Sequence, residues 1–154
     1  MNSTVIWKNK IRTIAPKPWL YSGVILAFLL AGCATISVYD PTSYKNATDL
    51  KAESLLVIQK ATDTADKHTA EINQVRIELQ KNFEYENGKG KLNSLTVRQW
   101  QLLADPNGIL LAGLLKKWEG QNQGFSQSFV DGVTKNISDA FDEIIRLEQH
   151  KVKQ

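Results

Sequence analysis

The sequence predicts an all-α fold, an elongated antiparallel helical bundle with one long spine helix and shorter helices folded back along it. Three observations carry this. No part of residues 40–154 keeps up the apolar–polar alternation of a strand. Residues 45–86 contain neither proline nor glycine. After them, apolar residues recur at helical steps in three further runs, separated by glycine and proline punctuation.

Element by element, the chain opens with a polar, basic stretch, residues 1–18, ending in Pro16-Lys17-Pro18. No charge then occurs until Asp40, and Gly23–Leu30 is the apolar heart of this interval. The polar stretch Asp40–Asn46 reads as a tether and helix lead-in, and the spine follows over about 45–86. Leu55, Ile58, Ala61, Ala65, Ile72, Val75, Leu79 and Phe83 form its apolar stripe, mostly at three- and four-residue steps. Lys60, Lys67 and Lys81 share the outer face with Asp63, Glu71 and Glu78, as solvated charges do. Asn87-Gly88-Lys89-Gly90-Lys91 stops the helix. Asn93 or Ser94 can cap a short helix through Leu103 that turns Trp100 and Leu103 inward. Asp105-Pro106 reads as an N-cap followed by proline at N1, starting a helix over 106–119 that ends at Gly120. A last helix over 126–150 aligns Phe129, Val133, Ile137, Phe141, Ile144 and Ile145. At ~1.5 Å per residue the spine spans about 63 Å, and the third and fourth helices about 21 Å and 38 Å. Together these two nearly match the spine, which is why they are expected to fold back along it.

Composition narrows the function. The 154 residues are 42% hydrophobic and 23% charged, ordinary globular values that exclude a collagen-like or wholly disordered chain. A single cysteine excludes a disulfide scaffold and a Cys-rich zinc module. The net charge of +3 is local: Lys8, Lys10, Arg12 and Lys17 stand before residue 33 without an acid, and the rest holds 15 basic and 16 acidic side chains. A nucleic-acid partner is therefore not expected.

The first segment ends in Leu30-Ala31-Gly32-Cys33. A basic n-region, an apolar h-region and a small-residue exit make a secretory signal. The exit resembles the lipobox of bacterial lipoproteins at all four positions. The resemblance implies cleavage between Gly32 and Cys33, a thioether-linked diacylglyceryl group on Cys33 and acylation of the new amino terminus. It also implies that Ala34, unlike an aspartate there, permits sorting to the outer membrane of a Gram-negative cell, facing the periplasm. The domains expected are a removed signal peptide over 1–32, a lipidated tether over 33–44 and a helical domain over 45–154. The competing reading is an uncleaved membrane helix, since the uncharged residues 18–39 could cross a hydrocarbon core of ~30 Å. Either way the positive residues stay inside and the later residues lie across the membrane. The n-region is long for a lipoprotein signal, and a start at Val5 or Leu20 would shorten it.

Catalytic and metal motifs are not found. His68 and His150 are far apart in sequence, and His68 could meet Asp63, Asp66 or Glu71 on the helix surface. No G-x-S-x-G, no H-E-x-x-H and no P-loop occurs; Gly88-Lys89-Gly90-Lys91 lacks the P-loop spacing. Asp139, Asp142 and Glu143 read as a solvated helix face. Gly108–Trp118 is apolar over more than half its circumference, which suits the most buried helix of the bundle better than a membrane-surface helix closed by Lys116 and Lys117.

The runs Tyr39-Asp40-Pro41, Thr48-Asp49-Leu50-Lys51, Asp105-Pro106-Asn107-Gly108 and Leu114-Leu115-Lys116-Lys117-Trp118 resemble small all-helical lipoproteins of unassigned function. That resemblance implies a fold and no activity. The expectation is a membrane-anchored envelope lipoprotein with a structural or protein-interaction role, a protein partner in the envelope, no enzymatic activity and no cofactor besides the lipid on Cys33. The alternative is a carrier or sensor holding an apolar ligand among Trp100, Trp118, Phe129 and Phe141.

Overall fold

Asp40 starts the first helix: its carboxylate accepts from the Thr42 N–H at 2.8 Å, and Pro41 follows where a missing N–H costs nothing. This helix, α1 (Pro41–Gln59), begins four residues ahead of the expected start. The computed structural model describes residues 37–153, so the expected signal segment and the expected lipidation and sorting residues Gly32, Cys33 and Ala34 lie outside the described residues.

The expected spine is two helices. After α1, two 3₁₀ turns, Lys60–Thr62 and Ala65–His68, lead into α2 (Thr69–Asn87). Between the turns, Asp63 and Thr64 are extended, with ψ of 172° and 143°. Thr62-Asp63-Thr64 supplies short polar and β-branched side chains, which compete with the helical hydrogen-bond ladder and lose rotamer freedom inside it. The break lets the two halves of the apolar stripe face each other: Leu50, Val57 and Ile58 of α1 are buried with Ile72, Val75 and Leu79 of α2. Ion pairing of Lys60 with Glu71 (2.5 Å) near the break, and the Tyr85–Asp40 hydrogen bond (2.7 Å) at the opposite end, set the pair antiparallel.

Gly90, with φ of 81°, makes the turn out of α2, a backbone conformation that a side chain would strain. A 3₁₀ turn (Lys91–Asn93) then leads to α3 (Ser94–Ala104). Asp105-Pro106 does not begin a helix. The Asp105 carboxylate accepts from the Asn107 N–H (2.8 Å) and its carbonyl from the Gly108 N–H (3.1 Å), a local turn that uses up the groups an N-cap would need. The next helix, α4 (Leu111–Glu119), is correspondingly shorter than expected. Ser126 caps α5 (Gln127–Gln149) by accepting from the Phe129 N–H.

Four antiparallel rows result: α1, α2, α3 continued by α4, and α5. Lys51–Asp142 (2.6 Å) and the backbone bonds Tyr39 N–Val152 O (3.0 Å) and Phe125 N–Ala61 O (2.8 Å) run α5 against α1. Trp100 meets Phe141 edge to face at 6.1 Å where α3 crosses α5. Leu111, Leu114, Leu115 and Trp118 are at most 4% exposed, so α4 is a core helix, while Lys116 and Lys117 are exposed. The described residues are helical and irregular, without a strand. Among them no helix is long and apolar enough to cross a membrane.

Candidate functional site

Where α1 begins, α2 and α5 end and α3 starts, the bundle interior is polar. Glu86 at the end of α2, Ser43 on the first turn of α1 and Asn93 before α3 are each 1% exposed. Ser43 donates to Glu86 Oε1, and the Asn93 amide donates to the Glu86 carbonyl (2.8 Å) and to Oε2 (2.7 Å). Lys89 bridges Ser43, Glu86 Oε1 (3.1 Å) and Asp40 Oδ2 (2.8 Å). On the other side of Asn93, its Oδ1 accepts from Lys151 Nζ (2.8 Å) and Ser37 Oγ (2.8 Å). Lys151 also pairs with Glu148, and Thr96 donates to the same carboxylate oxygen at 3.2 Å. Glu148 Oε2 finds no partner among the described residues. Such a network holds only if nearly every member is satisfied, since an unpaired buried charge is far costlier than an apolar side chain.

This cluster ties the lead-in segment to the bundle. Ser37 N–H donates to the Leu92 carbonyl (2.9 Å), and Tyr39 N–H to that of Val152 (3.0 Å). Residues 37–40 are thus stitched across the end of the bundle by backbone as well as side chain. Burial alone would raise the Asp40 carboxyl, but hydrogen bonds from Lys89, Tyr85 and the Thr42 N–H hold it well below the usual carboxylate range. Burial works against the Lys89 ammonium too, and its bonds to Asp40 and Glu86 outweigh that and raise it. The Asp40 carboxylate raises the Tyr85 phenol. Both shifts at the Asp40–Lys89 pair favour its charged form.

The residues singled out in the sequence are placed differently. His68 meets two of the three expected acids, Glu71 at 2.9 Å through Nδ1 and Asp63 at 3.6 Å through Nε2, and stacks on Trp118 with ring centroids 5.6 Å apart. Among the described residues no group of three or more His, Cys, Asp or Glu is placed to hold a metal ion. Asp139, Asp142 and Glu143 each pair with a cation, Lys135, Lys51 and Arg146 respectively, on the exposed face of α5. His150 is exposed, its Nδ1 against the Arg146 carbonyl. The four aromatic residues considered for an apolar ligand fall into separate pairings: Trp100 with Phe141, Trp118 with His68, and Phe129 with Phe125 at 4.5 Å. A cleft of about 420 Å³ lies elsewhere, between α2 and α4, with Arg76, Leu79, Ala104, Pro106 and Lys116 in its walls. Ile109, in the loop before α4, is 88% exposed.

Sequence reasoning missed the polar cluster, although a signal was there. Glu86 stands seven residues after Leu79, Glu148 seven after Phe141 and Ser43 seven before Leu50. Each lies in phase with the buried stripe of its own helix, where a polar residue has no reason to be unless it has a partner. No family model matches the chain, and no curated protein or solved structure is similar to it.

Proposed function

We propose that this chain is a lipid-anchored envelope protein whose helical domain serves a structural or protein-interaction role. The observation that carries the reading is Leu30-Ala31-Gly32-Cys33 at the end of a basic–apolar segment, holding the chain's single cysteine. The pinned lead-in supports it. Only Ala34, Thr35 and Ile36 separate Cys33 from Ser37, a reach of at most about 14 Å for fully extended chain. An anchor at Cys33 then holds one end of the bundle against the membrane instead of dangling it from a long tether. Ala34 favours the outer membrane, with the domain facing the periplasm, in a Gram-negative host. For a protein partner, the cleft beside α4 and the exposed Ile109 offer an apolar surface with mixed charge around it. The apolar-ligand reading has less to draw on, because Trp100, Trp118 and Phe141 are taken up by contacts within the protein.

Metabolic labelling with a palmitate analogue tests the anchor. Wild type is expected to carry label and fractionate with membranes; Cys33→Ser is expected to lose label and to keep the uncleaved signal. Equal label on both proteins overturns the reading.

A further inference from the structure

We propose that the end of the bundle bearing Val38, Leu92, Leu95 and Val152, rimmed by Lys91, Arg98 and Lys153, lies directly on an anionic phospholipid bilayer and sets the orientation of the domain. This rests on the anchored reading above and adds a contact that the anchor alone does not require.

Four of the exposed large apolar side chains meet at this one end: Val38 is 48% exposed, Leu92 55%, Leu95 47% and Val152 69%. The proximity of Val38, Leu92 and Val152 is fixed by the backbone, and Leu95 follows Leu92 on the first turn of α3. The bonds Ser37 N–Leu92 O and Tyr39 N–Val152 O flank Val38 on either side, so three separate chain segments present an apolar residue side by side. A single exposed leucine means nothing, but a cluster drawn from three segments is a surface with a use.

The unpaired charge at this surface is basic: Glu143, which shares a recess with Leu95, is paired with Arg146, and Asp40 is paired with Lys89. Lys91, Arg98 and Lys153 make no ion pair among the described residues. Lys91 and Arg98 share the walls of a recess of about 410 Å³ with Ser94 and Asn87, cations and polar groups suited to phosphate oxygens. Lys153 Nζ lies 5.2 Å from the centre of the Tyr39 ring, an aromatic–basic pairing at home in a headgroup layer. Exposed apolar tips beside three cations without an ion pair match a bilayer surface, apolar beneath and anionic above. Four side chains are too few for the ~800 Å² per partner of a stable protein interface, so a second copy is the poorer occupant. Each cation near anionic lipid is worth about a fivefold gain in partitioning, roughly a hundredfold for three. Such a contact is weak in free solution and effective at the local concentration that an anchor a few residues away would impose.

The experiment uses the protein purified from membranes and reconstituted into vesicles of phosphatidylcholine mixed with phosphatidylglycerol. Leu92→Cys, Val152→Cys and, as a reference, Ile109→Cys are labelled with a nitroxide, whose depth is read from oxygen against nickel-complex accessibility. Labels at 92 and 152 are expected at headgroup depth or below, and the label at 109 in water. The triple variant Lys91→Glu, Arg98→Glu, Lys153→Glu, melting as wild type does, is expected to lift the first two labels into water, as are vesicles of phosphatidylcholine alone. Labels at 92 and 152 as wet as that at 109 overturn the proposal, as does a depth indifferent to the charge reversal and to the lipid. The unsubstituted protein separates the two readings: with Cys33 acylated it takes up no nitroxide. Uptake there sinks the anchor, while the depth at 92 still decides the docking.

Discussion

Glu148 and Lys151 lie buried at one end of the bundle and are held by side-chain hydrogen bonds through Asn93 and Thr96. At the other end, closure is made by backbone and ring. Trp118 is fully buried, its Nε1–H donates to the Asp63 carbonyl at 2.8 Å, and Phe125 N–H donates to the Ala61 carbonyl at 2.8 Å. There Gly124 passes so close to Thr62 that a Cβ would collide with the Thr62 carbonyl. The difference teaches how one bundle meets two needs. Close packing around Trp118 supplies stability through apolar burial and steric fit. The polar end gains little net energy, because desolvation offsets much of the pairing. What it gains is position, since Ser37, Ser43, Glu86 and Asn93 can all be satisfied only in one register. The precise end is the one that holds Ser37, four residues after the proposed anchor Cys33.

Removing one partner at the polar end is expected to have the largest effect. Glu148→Ala leaves the Lys151 ammonium buried and is expected to cost about 3–5 kcal/mol. Replacing the pair together, Glu148→Leu with Lys151→Met, is expected to fall close to wild type or above it. Urea denaturation checks both, and a double replacement as damaging as the single one would mean the pair contributes stability rather than position. Faster amide exchange at Ser37 and Tyr39 in the double variant, without a lower urea midpoint, would sharpen the point.

At the packed end, Trp118→Phe keeps an aromatic ring but leaves the Asp63 carbonyl without its donor, an expected loss of about 1–3 kcal/mol. Thermal melts measure it, with no change expected in exchange at Ser37. Asp40→Ala is expected to cost about 0.5–2 kcal/mol through the lost helix cap, and it also tests pH dependence. The Asp40 carboxyl is held low in the folded state, so its contribution is present in full above pH ~4 and is lost as pH falls through the folded value. Lys89 is held high, so its contribution is present below pH ~10 and lost as pH rises past the folded value. Urea midpoints taken across the acid range are expected to fall less steeply in the alanine variant than in wild type; parallel curves would count against the Asp40–Lys89 linkage. The smallest effect is expected on α4, where exposed Lys116 and Lys117 changed to Gln should stay within about 0.5 kcal/mol of wild type.

Most of the helical architecture was legible, because periodicity reports which face is buried however the helix is later cut. The same property hid the break in the spine. Ile58, Ala61, Ala65 and Ile72 keep helical phase across residues 60–68, so the stripe reads straight through a turn built without glycine or proline. Asp105-Pro106 misled for a related reason: an N-cap and a local turn use the same side-chain acceptor and the same proline φ. The polar end was illegible in a different way. A lone glutamate in an apolar stripe looks like noise until the residues that satisfy it are brought in, and Asn93 and Lys151 reach Glu86 and Glu148 from other segments or from beyond a helix end. The resemblance of Leu30-Ala31-Gly32-Cys33 to a lipobox rests on four consecutive residues, which lie outside the described residues.

The stitching of Tyr39 to Val152 makes the helical domain almost a closed circuit. A short linker could join Lys153 back to Ser37 without crossing the bundle, and new ends could then be opened among the exposed residues Asn122 and Gln123. Such a rearranged chain should keep the same core, with α5 now leading and α4 closing. The proposed lipid anchor, if grafted to the new start, would then stand at the Trp118 end, turning the domain over with respect to a membrane.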